Sequence, residues 1–199
     1  HGKAKIVTGS PLVTTIVHTF NRPTLLREAV EALQRQTYTN LEIILINDGA
    51  IAETVEYLKE VESSDQRVKL VNFMENQFSW DDPGLYIVVT WNAALKEATG
   101  DYVWIQEDDD FLAKDYIEKM VALFAENPEC NTAAGLPVSV DKSGAQNEID
   151  LAAFETPHGF ADCPHGQSQQ GLVGFGGTGE IGHGYGDGAA CDDPVERAH

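Results

Sequence analysis

The sequence predicts an α/β domain with a mostly parallel central sheet flanked by helices, and three observations carry that prediction. Short β-rich runs alternate with amphipathic helical patterns from Leu12 to about Val140, as repeated βαβ units require. At 199 residues, 42% of them hydrophobic and 23% charged, the chain can bury a sizeable single core and has an ordinary globular composition. No apolar run approaches about eighteen residues and no signal-peptide pattern is visible, so no segment reads as membrane-spanning.

Each element has a local reason. LVTTIVHT, 12–19, reads as the first strand. In NRPTLLREAVEALQRQT, Pro23 suits a first helical turn, and Leu25, Leu26, Ala29, Val30 and Leu33 fall on one face. LEIILIND, 41–48, is the second strand, and a helix around 53–62 turns Val55, Leu58 and Val61 inward. VKLVNF, 68–73, is the third strand. The polar loop MENQFSWDDPG then leads to a helix near 86–98 that carries Trp91, Ala94, Leu95 and Ala98. DYVWIQ, 101–106, is the fourth strand, and KDYIEKMVALFAE is an amphipathic helix stopped by NPE. NTAAGLPVSV is expected to form one more strand, with DKSG as a turn. Beyond about Gln146 the periodicity is lost, and 11 of the 18 glycines lie between Gly159 and Gly188. The expected division is an N-terminal extension at 1–10, an α/β core at 11–140, and a Gly-rich, loop-dominated segment of the same domain at 141–199.

Charge narrows the partners. Thirty-two acidic residues against 13 basic ones give a formal net charge of -19, which disfavours nucleic acid or an anionic membrane and favours a cation. Cys130, Cys163 and Cys191 are few, odd in number and far apart, which points away from a disulfide framework and towards a reducing, cytoplasmic location.

In open parallel α/β sheets the ligand crevice lies outside the carboxyl ends of the strands. Those ends deliver Asn21 and Arg22 after the first strand, Asn47, Asp48 and Gly49 after the second, Glu75 and Asn76 after the third, and Glu107, Asp108, Asp109 and Asp110 after the fourth. Adjacent carboxylates repel unless water or a cation compensates them. An oxygen-only cluster suits a hard ion such as Mg2+ or Mn2+, whose shell is commonly completed by water and substrate phosphates. A phosphorylated substrate is therefore expected. The competing reading of the acid run is a solvated loop, and that of NDG is a tight turn or helix cap.

These blocks resemble the family 2 glycosyltransferases, which have the Rossmann-related GT-A nucleotide-sugar fold. PLVTTIVHTFNRPTLLREAVEALQRQTYTNLEIILINDGA is similar to the family's opening, and TWNAALKEATGDYVWIQEDDDFL to the block that leads into its Asp-x-Asp metal signature. The resemblance covers roughly 11–125 and implies an inverting, metal-dependent transfer from a nucleoside-diphosphate sugar, UDP-linked, to a saccharide or other hydroxyl acceptor. It also implies a role in cell-envelope polysaccharide synthesis, in the cytoplasm or peripheral to the membrane. By position, Asp48 matches the acid that holds the base or ribose. Glu107 stands at the first acid of the signature and Asp109 at its last; Asp109 would face the ribose and metal, and Asp110 would be the principal ligand of Mn2+ or Mg2+. Thr19, Asn21, Arg22 and Asn76 join the donor-binding set. His18 departs from a usual proline, Trp91 from a usual arginine before Asn92, and Glu107 from the commoner aspartate.

Inversion by direct displacement needs a carboxylate to take the proton of the acceptor hydroxyl. The resemblance puts that base in an acidic pair before a helix, and Asp192 and Asp193 precede Pro194. Asp193 is the first candidate, Asp192 the second and Asp187 the third, which makes 141–199 the acceptor side. Three other readings stay open. Cys163, His165, His183 and Cys191 have zinc-compatible chemistry and would suit a zinc-stapled binding module. A nucleotidyltransferase would want a glycine-rich basic loop where HTFNRP stands. A catalytically inactive GT-A-like domain would bind without turnover.

Overall fold

The computed structural model describes residues 9–110, 112–128, 130, 132 and 133. Four strands and four helices alternate: β1 (Val13–Thr19), α1 (Pro23–Gln34), β2 (Leu41–Asp48), α2 (Ala52–Ser64), β3 (Val68–Phe73), α3 (Leu85–Glu97), β4 (Tyr102–Glu107) and α4 (Tyr116–Glu126). All paired strands are parallel, in the order β3-β2-β1-β4. Strand order therefore reverses beside β1, where such sheets open their crevice. The strand expected at 131–140 and the segment 141–199 fall almost wholly outside the described residues.

Burial explains the order. Every residue of β1 and β2 is buried, as strands covered on both faces must be, whereas β3 and β4 are only partly buried. One apolar layer joins Val13, Val17, Ile43 and Leu45 to Leu26, Val30 and Leu33 of α1, to Leu58 of α2 and to Ile117 of α4. The opposite layer joins Ile16, Ile44, Ile46 and Val103 to Ala94 and Leu95 of α3. Each fully buried isoleucine or leucine contributes roughly 1.5–3 kcal/mol of transfer free energy.

The helices sit within a few residues of their predicted spans, with local differences. Leu25 is 38% exposed, because the buried stripe of α1 runs through Leu26, Ala29, Val30 and Leu33 and the preceding position is turned away from it. In α2, Thr54 and Tyr57 are buried with Leu58 and Val61, while Val55 is only half-buried. Among the described residues no helix is long and apolar enough to cross a membrane.

Two polar devices fix the ends of the sheet. At the amino end, Glu42 is 6% exposed, yet it accepts bonds from Thr14 Oγ1 (2.6 Å), Thr99 N (2.8 Å), Thr99 Oγ1 (2.8 Å) and Lys69 Nζ (2.5 Å). Burial alone would raise its pKa, but the bonds from Lys69, Thr14 and Thr99 outweigh burial and hold it at about 2 instead of 4.5. At the carboxyl end, Gly49 turns the chain with φ 67° and lies under the loop that follows β3. A Cβ there would meet Asn76 N at 2.3 Å and the Glu75 carbonyl carbon at 2.4 Å. That close approach lets Gln77 N and Asn76 Nδ2 donate to the Asp48 carboxylate at 2.9 and 2.8 Å.

Glu42 is lowered in the folded state, so its contribution is fully present above about pH 4.5 and is lost as pH falls towards about 2. Glu42→Gln should be less stable than the parent by on the order of 2 kcal/mol near neutral pH, with the gap narrowing below about pH 4.5. Urea unfolding across that range measures this, and a gap independent of pH would contradict it. Gly49→Ala should destabilise by roughly 1–3 kcal/mol, since backbone must move and the turn needs a positive φ. It should also speed hydrogen exchange at the Gln77 amide; an unchanged melting temperature and unchanged protection would count against this packing.

Candidate functional site

Side chains alternate along a strand, so the last residues of β1 serve opposite faces. His18 follows Thr14 and Ile16 onto the α3 face, where Ile44, Ile46 and Asp48 of β2 and Val103, Ile105 and Glu107 of β4 continue the same layer. His18 is 5% exposed, and its imidazole reaches both neighbouring strands: Nε2 lies 3.1 Å from Asp48 Oδ2, and Nδ1 lies 3.2 Å from Glu107 Oε2. Tyr86, from the first turn of α3, packs on it with ring centroids 5.2 Å apart. Burial alone would lower the His18 pKa, but the hydrogen bond and charge of Glu107, then those of Asp48, leave it raised.

Thr19 points to the other face, where its Oγ1 donates to Asp108 Oδ2 at 2.5 Å. Arg22, at the entry to α1, turns back over the same spot: one guanidinium nitrogen lies 2.6 Å from Asp108 Oδ1 and the other 2.6 Å from Asp109 Oδ2. Asp108 is therefore the fully buried member of the acid run, 0% exposed, although it stands at the position the signature leaves free. Burial raises its pKa, against the lowering effects of Thr19 and Arg22. Asn21, with φ 54°, accepts from Ile51 N at 2.7 Å and so ties the loop after β1 to the loop after β2.

Asp48 lies deeper than its sequence position implies. It is 0% exposed, and its carboxylate faces His18, Asn76 and the Gln77 amide, so this corner presents the 75–78 loop to solvent in front of the acid. Asp109 and Asp110 are exposed. Gln106, 4% exposed, takes a bond from Trp104 Nε1 at 2.8 Å and donates to the Asp110 carbonyl at 2.9 Å, which fixes the turn below them. Partial burial of the carboxyl, and then the charges of Asp109 and Glu107, raise Asp110 above the ordinary aspartate range.

Seven candidates, Thr19, Asn21, Arg22, Asp48, Asn76, Asp109 and Asp110, thus gather at one edge of the sheet. Asp187, Asp192 and Asp193 lie outside the described residues, as do Cys163, His165, His183 and Cys191. Reasoning from sequence missed His18 as a bridge, Asp108 as a buried anchor and the Gln77 amide as a partner of Asp48. Alternation along β1, β2 and β4 was the available signal for His18. Among the described residues no three His, Cys, Asp or Glu side chains form a group able to hold a metal ion. Asp109 and Asp110 together offer exposed oxygen donors only, which fits a hard cation that keeps water or phosphate oxygens in its shell. An apolar pocket of about 650 Å³ on the flank between β3 and α3, lined by Leu70, Phe73, Val88 and Ala93 among others, contains none of these acids.

A family model described as Glycosyl transferase family 2 matches residues 14–164, well over half of the chain. An uncharacterized glycosyltransferase of Haemophilus influenzae is 31% identical over 117 residues, 59% of this chain and 44% of that protein. Mannosyltransferase PcManGT from Pyrobaculum calidifontis, solved in complex with GDP-Man and Mn2+, superposes with a TM-score of 0.53 at 23% identity, covering 67% of this chain and 37% of that one. S. aureus TarS 1-349 in complex with UDP-GlcNAc gives a TM-score of 0.51 at 20% identity, covering 65% and 34%. Both are likenesses of fold, and the α/β fold described above is GT-A-like. This chain spans less than half the length of the curated relatives it matches first. The match along residues 14–164 settles the family: the chain belongs to glycosyl transferase family 2.

Proposed function

We propose that the protein transfers a sugar, with inversion, from a nucleoside-diphosphate sugar to a hydroxyl of a saccharide or other acceptor, with UDP sugars as the donors and Mn2+ or Mg2+ as the cofactor. A cytoplasmic or membrane-peripheral place in envelope polysaccharide synthesis belongs to the same reading. The meeting of four strand ends supports it, because exposed Asp109 and Asp110 stand beside the Arg22 guanidinium at the edge where parallel sheets bind ligands.

A departing nucleoside diphosphate gathers negative charge while the sugar becomes cation-like. Asp109 and Asp110 would hold the metal, which supplies charge stabilisation to the diphosphate when bound. Arg22, 41% exposed at its side chain, carries a planar fork of donors suited to phosphate oxygens. Asn21, Asn76 and the loop in front of Asp48 would line the nucleoside side, with Asp48 shaping that wall from behind. Thr19 would serve by holding Asp108. Asp193, or else Asp192, would accept the acceptor's proton on the sugar face opposite the leaving group.

A thermal-shift screen of nucleotide sugars with and without Mn2+ tests the reading, since a donor that binds the native state raises its melting temperature. At least one UDP sugar should stabilise the protein only with metal present; no response to any nucleotide sugar would count against it. Asp110→Ala should abolish metal-dependent donor binding in calorimetry while leaving cooperative unfolding intact, and unchanged binding would remove Asp110 from the metal site.

A further inference from the structure

β2 and β4 do not touch as a pair; both hydrogen-bond to β1, which lies between them. His18 on that middle strand reaches a carboxylate on each side, 3.1 Å from Asp48 and 3.2 Å from Glu107, with 5% of its surface exposed. A neutral imidazole has one N–H and one lone pair, so it can donate to only one of two ionised carboxylates. The second contact would then set a lone pair against a carboxylate oxygen in a buried place. The alternative, a protonated carboxyl donating to a neutral ring, suits Asp48 poorly, because its oxygens already accept from Gln77 N and Asn76 Nδ2. Around the ring stand Asp48 from β2, Glu107 from β4 and the phenol of Tyr86 from α3, with Arg22 on the far face of the strand ends.

We propose that His18 is a positioning residue: held as an imidazolium, it ties Asp48 to Glu107 across β1, so that the nucleoside-side wall and the start of the acid run are set as one unit. The proposal rests on the donor-binding reading above. One buried cation keeps two acids from separate strands in register. Its loss leaves the fully buried Asp48 without its cation and the half-buried Glu107 without its tie to β1, and the cost falls on the 75–78 loop in front of Asp48 and on the turn that carries Asp109 and Asp110.

The test has two arms on the full chain. In protein labelled with 15N-histidine, near neutral pH, both ring nitrogens of His18 should carry a proton; one bare nitrogen would overturn the proposal. In calorimetry with UDP, GDP and Mn2+, His18→Phe keeps a ring on Tyr86 without either donor and should weaken nucleotide binding by roughly tenfold or more. His18→Gln keeps one donor and should recover part of that loss. Both variants should unfold cooperatively; should the phenylalanine variant fail to fold, the glutamine variant and the parent spectrum decide. Lower melting temperatures with unchanged nucleotide affinity would leave His18 a structural residue only and overturn the positioning role. If the parent binds neither UDP nor GDP, the donor-binding reading fails and the positioning role falls with it, while the 15N spectrum still reports the bridge independently.

Discussion

Five carboxylates, Asp48 and Glu107 to Asp110, crowd one end of a four-stranded parallel sheet, and they need positive charge within hydrogen-bonding reach. The end of β1 and the turn after it supply the partners, one basic side chain to each face. His18 serves Asp48 and Glu107 on the α3 face, and Arg22 serves Asp108 and Asp109 on the other. The acids divide accordingly. Those fixed internally, Asp48 and Asp108, are fully buried; those left towards solvent are Asp109, which Arg22 also pairs, and Asp110.

The rest of the described fold holds those strand ends in place. Two central strands buried on both faces hold the register, while the Glu42 network locks the amino end of the sheet. Gly49 lets the loop after β3 sit directly on the turn after β2, and Asn21 ties in the turn after β1. Three loops that are distant in sequence thereby share one surface. Under the proposed function, the Arg22 guanidinium that pairs the acids in the free protein would also meet the leaving diphosphate.

Much of the fold was legible in the sequence because its signals are local. A run such as LEIILIND between turn residues has few alternatives to a buried strand, and Pro23 marks the start of α1. The strand ends could be named for the same reason, since in a parallel sheet they all emerge on one side. What stayed hidden depended on which face each residue took. Asp108 looked dispensable beside Asp109, yet a change of face puts it against Thr19 and Arg22 in the interior. His18 read as a departure from a proline, and its partners are 30 and 89 residues away in the chain. The depth of Asp48 was illegible because it is set by a loop folding over it, which no periodicity encodes.

Reciprocal coupling between metal and nucleotide tests most directly whether these strand ends form one donor site. Calorimetric titrations would measure UDP affinity with and without saturating Mn2+, and Mn2+ affinity with and without saturating UDP. If both ligands share the site, each tightens the other by the same factor, roughly tenfold or more. Independent binding, with neither affinity responding to the other ligand, would contradict the convergence of the acids and the nucleotide on a single edge.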